Sequence, residues 1–91
     1  MTKEERVNRK YELGQKAIEL DAEITNYGKL LYNVELSAGF KAAAMEVTHS
    51  NNVQDKALIV KLQKEAKRLE KLIKEKENEL KEVMIEFNKI R

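Results

Sequence analysis

The sequence predicts an all-α fold: an antiparallel two-helix hairpin, coiled-coil-like, assembling into a helical-bundle oligomer. Three observations carry this expectation. Two long heptad seams flank one short polar stretch. The 91 residues contain no proline. Charged residues make up 37% and apolar residues 42%, the Lys, Glu, Leu and Ala richness of long helices. The expected organisation is a single domain over 1–91, with helix 1 at about 3–47, a loop at 48–52 and helix 2 at about 53–90.

Helix 2 is the clearest element. From Val53 to Arg91 there is neither glycine nor proline. Ile59, Leu62, Ala66, Leu69, Ile73, Lys76, Leu80, Val83, Phe87 and Ile90 follow at alternating steps of three and four. That spacing lays one narrow apolar stripe along a helix on the order of 58 Å long, in the a and d positions of a heptad. Such a stripe needs a partner surface.

Helix 1 opens at Thr2, which forms a capping box with Glu5 three residues on. Its seam reads Leu13, Ala17, Leu20, Ile24, Tyr27, Leu31, Val34, Ala38, Lys41 and Met45. Gly14, Gly28 and Gly39 lie within it, each costing about 1 kcal/mol against alanine. The seam keeps its phase through Gly28, so an unbroken helix is expected there.

Thr48-His49-Ser50-Asn51-Asn52 is polar and central, and reads as the loop. Ser50, Asn51 or Asn52 is the expected cap of helix 2, with Asp55 suited to its positive end. A chain folding back near residue 50 pairs residues whose numbers sum to about 100. Leu13 then faces Phe87, Ala17 faces Val83, Leu20 faces Leu80, Tyr27 faces Ile73, and Leu31 faces Leu69. The seams, read separately, match apolar to apolar. Two lysines interrupt them, Lys76 opposite Ile24 and Lys41 opposite Ile59. A lysine in a core heptad position snorkels and fixes register at some cost in stability. The sharper reading turns it toward an anionic ligand.

A hairpin needs one stripe per helix, and the loop-proximal third has more. Leu36, Phe40, Ala43 and Val47 make a second stripe on the far side of helix 1, and helix 2 is apolar almost all round from Ala57 to Leu62. Leu36, Phe40, Ala43, Val47, Leu58 and Val60 are therefore the expected interaction interface. Small residues at Gly39 and Ala43 favour close approach of another helix. Farther out, Glu70–Lys74 and Glu77–Lys81 stand at ion-pair spacing on a solvated face. Met84 and Ile85 lie off the seam, placed to dock an N-terminal segment carrying Val7 or to join an interface.

Catalytic chemistry is sparse, and an enzyme is not expected. There is no cysteine, and His49 is the only histidine. No serine has a base at a recognisable spacing, and no glycine-rich phosphate loop is present. No catalytic residue, cofactor or metal is expected.

The net charge is +2, with 7 basic and 8 acidic residues over 1–47 and 11 basic and 8 acidic over 53–91. The favoured function is a protein–protein interaction module, a small adaptor, inhibitor or assembly factor binding itself and another protein. Two alternatives stand beside it. An oligomer of hairpins builds pockets between subunits, where Tyr27, Lys29, Tyr32 and Lys41 are candidate contacts of a small, nucleotide-like anionic ligand. The run Lys61, Lys64, Lys67, Arg68, Lys71, Lys74 suits weak, sequence-independent nucleic-acid binding, but Glu65, Glu70 and Glu75 interrupt it and stacking aromatics are missing.

The length and central loop resemble the small helical hairpins secreted by type VII systems. Their Trp-x-Gly turn is missing, since the chain has no tryptophan. The Lys, Glu, Ile and Asn bias fits a bacterial or phage gene from an AT-rich genome. No apolar run reaches the ~18 residues of a membrane span, and no signal-like segment follows Met1, so a cytoplasmic protein is expected.

Overall fold

The computed structural model describes residues 1–49 and 53–90. Two helices, α1 (Lys3–Thr48) and α2 (Val53–Lys89), lie side by side in a rod 69 Å long and 14–15 Å across. At ~1.5 Å per residue, α1 alone accounts for the whole length of the rod. The fold is the all-α helical hairpin. The cap candidates Ser50, Asn51 and Asn52 lie outside the described residues.

Local chemistry sets the ends of α1. Thr2 is extended (φ −72°, ψ 166°), and its hydroxyl accepts from the Glu5 N–H at 3.1 Å. Glu4 and Glu5 in the first turn suit the positive end of the helix dipole. At the other end the helix takes in Thr48, which the sequence reading had placed in the loop. The Thr48 hydroxyl donates to the Ala44 carbonyl at 2.8 Å, so the side chain satisfies itself inside the last turn. His49 then turns left-handed (φ 53°, ψ 32°) and its N–H bonds the Glu46 carbonyl at 3.3 Å, closing the helix. α2 ends at Lys89, one residue short of the expected 90.

α1 runs unbroken through Gly28. A Cβ added at Gly28 or Gly39 would meet nothing within 4 Å, and neither backbone has a positive φ. Nothing inside the hairpin requires glycine at these two positions.

Burial follows the heptad closely. With the seams as a and d, every a and d position from Leu13 to Met45 and from Ile59 to Ile90 is buried or half-buried. The b, c and f positions of both helices are exposed throughout. Leu13, Leu20 and Val83 form one buried cluster, with Ala17, Leu80, Phe87 and Ile90 packed on it. Leu13 and Leu20 stand about 10 Å apart along α1, so Val83 from α2 bridges them, level with Ala17. Lys10 lies over the Phe87 ring at 4.8 Å, and the Phe87 edge is 3.8 Å from where a Gly14 Cβ would stand. These contacts set the register near a sum of 100.

The core is thin. Among the described residues Leu13, Leu20, Leu69 and Val83 are the buried hydrophobics, and three of them stand in the open-ended half. The accessible surface is 7220 Å². A compact monomer of this mass exposes about 5,500 Å². The hairpin therefore carries an excess of about 1,700 Å².

Two outcomes follow for stability. Leu69 is 1% exposed, so Leu69→Ala loses about 2–5 kcal/mol, read by urea unfolding at fixed protein concentration. Gly28→Ala, into open space within a helix, gains about 1 kcal/mol in the same assay. A loss at Gly28 would show that another backbone closes on it.

Candidate interaction surface

One flank of the hairpin, formed by the g positions of both helices, changes character along its length. Toward the open end it is ionic. Arg9 donates to Glu86 at 2.6 Å and Lys16 stands 3.6 Å from Glu79. Lys76, from the seam, reaches out to Glu23 at 2.9 Å and Glu79 at 4.0 Å. Toward the loop the same flank carries Leu30, Leu72, Ala44 and Leu58, with Ser37 and the Arg68-paired Glu65 between them; Leu30 is 51% and Leu58 42% exposed. Apolar residues at a, d and g together are the pattern of a bundle helix, wider than a two-stranded seam requires.

The sequence-derived interface residues fall on three surfaces around this end. Leu36, Phe40, Ala43 and Val47 form a stripe along the back of α1, at c and f, with Phe40 68% and Val47 79% exposed. Leu58 lies on the g flank, joining Leu30 and Leu72 there. Val60 is two residues on, so it faces the opposite side of α2. A single hairpin does not gather the six into one patch. Leu30 and Leu72 were missed in the sequence reading. Each immediately precedes an a residue, Leu31 and Ile73, which was the available signal.

A second exposed group lies at the open end: Val7 and Met84 on the other flank, with Tyr11 and Ile18 beside them at b positions on the back of α1. The docking of a separate N-terminal segment does not occur, because Val7 is already within α1. Ile85 is exposed on the back of α2.

The candidate ligand contacts are not brought together either. Tyr27 is half-buried in the seam, while Lys29 and Tyr32 are exposed and point elsewhere around α1. Lys41, about 21 Å along the helix from Tyr27, is held by Asp55 at 2.9 Å. The ammonium groups of both seam lysines thus meet carboxylates of the other helix.

On α2, Arg68 belongs to Glu65, Nε donating to Oε2 at 3.1 Å. Among the described residues, Lys64, Lys67, Lys71, Lys74 and Lys81 make no ion pair within 4.0 Å, so the expected Glu70–Lys74 and Glu77–Lys81 pairs are not formed. His49 is exposed and serves as the C-cap of α1. No described group of three or more His, Asp or Glu gathers to hold a metal. No helix is long and apolar enough to cross a membrane.

Comparison with protein-family models, curated proteins and solved structures finds no match. What the hairpin does is then to be read from its own surfaces.

The ion pairs set a direction for pH dependence. The hydrogen bond to Glu23, then its charge, raises the Lys76 pKa above its ordinary 10.5. A raised lysine pKa stabilises the fold fully below the unfolded value, and that stabilisation is lost as pH climbs through the folded one. The hydrogen bond from Arg68 lowers Glu65 below 4.5, giving stabilisation present above that value and lost in acid. Lys76→Leu, opposite Ile24, should leave stability at pH 7 equal or higher, since Glu23 stays solvated. It should also flatten the loss of thermal stability above about pH 10.5 that Lys76 contributes. Thermal melts of both proteins from pH 7 to 11.5 measure this; an unchanged alkaline slope would remove Lys76 from the account.

Proposed function

We propose that this chain is a non-enzymatic protein–protein interaction module. It self-associates through its loop-proximal half and acts as a small adaptor, inhibitor or assembly factor on another protein. One observation carries the reading: α1 and α2 cover only one seam, while the loop-proximal half exposes Leu30, Leu36, Phe40, Val47, Leu58 and Val60 besides. Leu36, Phe40, Ala43 and Val47 are the part of that surface that runs as one stripe, and contiguous exposed apolar surface is the mark of an interface. A bacterial or phage accessory role fits the composition and remains part of the proposal.

The lysine row of α2 favours a second reading, weak sequence-independent binding of nucleic acid. Glu70 and Glu77 stand beside that row and reduce its field, so protein binding is preferred.

The test is mass in solution. Light scattering after size exclusion should give an oligomer, and Phe40→Asp should reduce it to a lower mass with far-UV helicity retained. The absorbance ratio at 260 and 280 nm on the same peak should be that of protein alone. An unchanged mass for Phe40→Asp would remove this surface from the interface.

A further inference from the structure

The backs of the two helices carry opposite charge. On α1, the b, c and f positions hold Glu4, Glu5, Glu12, Glu19 and Glu46 against Lys29 alone. On α2 they hold the row Lys64, Lys67, Lys71, Lys74 and Lys81, with Lys61, Arg68, Glu75, Glu82 and Lys89 along one edge. Sums along the chain conceal this. The other basic groups of α1, such as Arg9, Lys16 and Lys41, sit in or beside the seam, and so do Asp55, Glu65, Glu79 and Glu86 of α2.

We infer that the occupant of these backs is a second copy of the chain. The back of α2 in one hairpin lies on the back of α1 in the next, with both hairpins pointing the same way. This rests on the proposed self-association and specifies how it is built. Like-on-like packing of the backs is disfavoured, since α2 on α2 would face one lysine row with another.

Register supports the same arrangement. Residues of α1 and α2 stand level when their numbers sum to about 100, and this holds equally for a neighbour pointing the same way. Phe40 is then level with Val60, Ala43 with Ala57, and Val47 with Val53. All six are exposed in the single hairpin. Gly39 and Ala43, with Ala57 across from them, let the helices approach closely. Leu36 is level with Lys64, whose methylene stem covers it. Toward the open end, Glu19 is level with Lys81. Lys29 falls level with Lys71, a like-charge pair that the long side chains relieve by splaying outward.

The area agrees. A stable interface buries about 800 Å² per partner. The excess surface of about 1,700 Å² is what two such interfaces per copy remove. An interface between different faces gives each copy two contacts, one on α1 and one on α2, and propagates until a ring closes.

A charge-swap experiment tests this. Glu12→Lys/Glu19→Lys reverses the charge of two acidic positions on the back of α1, and Lys74→Glu/Lys81→Glu that of two basic positions on the back of α2. Each variant, checked for helicity, is run alone and in a 1:1 mixture by light scattering over a range of concentration. The expected result is a wild-type mass above that of a dimer, a lower mass for either variant alone, and recovery of the wild-type mass in the mixture. Masses unaffected by the swaps, or a mixture that does not recover, would overturn the arrangement. A plain dimer lost only by Phe40→Asp would overturn it too, while leaving the self-association standing. A monomeric wild type would remove both. Retention on heparin abolished by Lys74→Glu/Lys81→Glu, with mass unchanged, would assign the lysine row to a polyanion instead.

Discussion

α1 and α2 touch along a single seam, one side chain deep, and the rest of the molecule is arranged around that constraint. Two helices cannot close around their own contact, so even seam residues such as Ile24, Leu31 and Ile59 stay half-buried. The open end compensates with ionic pairs beside the seam and with Phe87, which packs on the Leu13 cluster beneath the Lys10 ammonium. The loop end has leucines where those ion pairs would stand. The proposed association would cover this half of the seam with a third surface and so couple assembly to its tight packing.

Register is the second consequence of having one seam. The flank pairs specify it only in part: a slip by one heptad keeps Arg9 paired, with Glu79 in place of Glu86, but moves Lys16 from Glu79 to Leu72. The seam lysines do specify it. Such a slip would carry Lys76 from Glu23 to Lys16 or to Leu30, and Lys41 from Asp55 to Leu62. Each alternative leaves a lysine in the seam against a like charge or an apolar side chain. A solvated register costs little stability in the native pairing and much in any other.

The fold was legible because the three-four spacing of both seams persists over many turns, through Gly28 and past both lysines. Their agreement around residue 50 fixed the pairing as well. Thr48 was misjudged because a β-branched polar residue next to His49 reads as loop, whereas its hydroxyl finds the Ala44 carbonyl within the helix. The candidate surface was legible only in part. Leu30 and Leu72 disappear when residues are scored as on or off the seam, and stand out once each is given its heptad letter. The opposed charge of the two backs is lost in any sum along the chain. Tyr27, Lys29 and Tyr32 looked like a cluster because they are neighbours in sequence, but successive residues of a helix fan out by about 100°.

The two helices also divide the work between scaffold and contact. α2 contains no glycine and is anchored by its own first and last turns, with Asp55 and Lys89 at the matching dipole ends. α1 carries three glycines and has no basic residue in its last turn. Gly28 and Gly39 together give up about 2 kcal/mol of helix stability with no backbone need for it inside the hairpin. The softer helix is also the one whose back is apolar between Leu36 and Val47. A helix weakened along the stretch that it exposes gains most from being covered, because docking fixes backbone that is otherwise prone to open. In the proposed assembly the softer α1 is the helix that gains most order on contact, and the glycine-free α2 is the stiffer surface it meets.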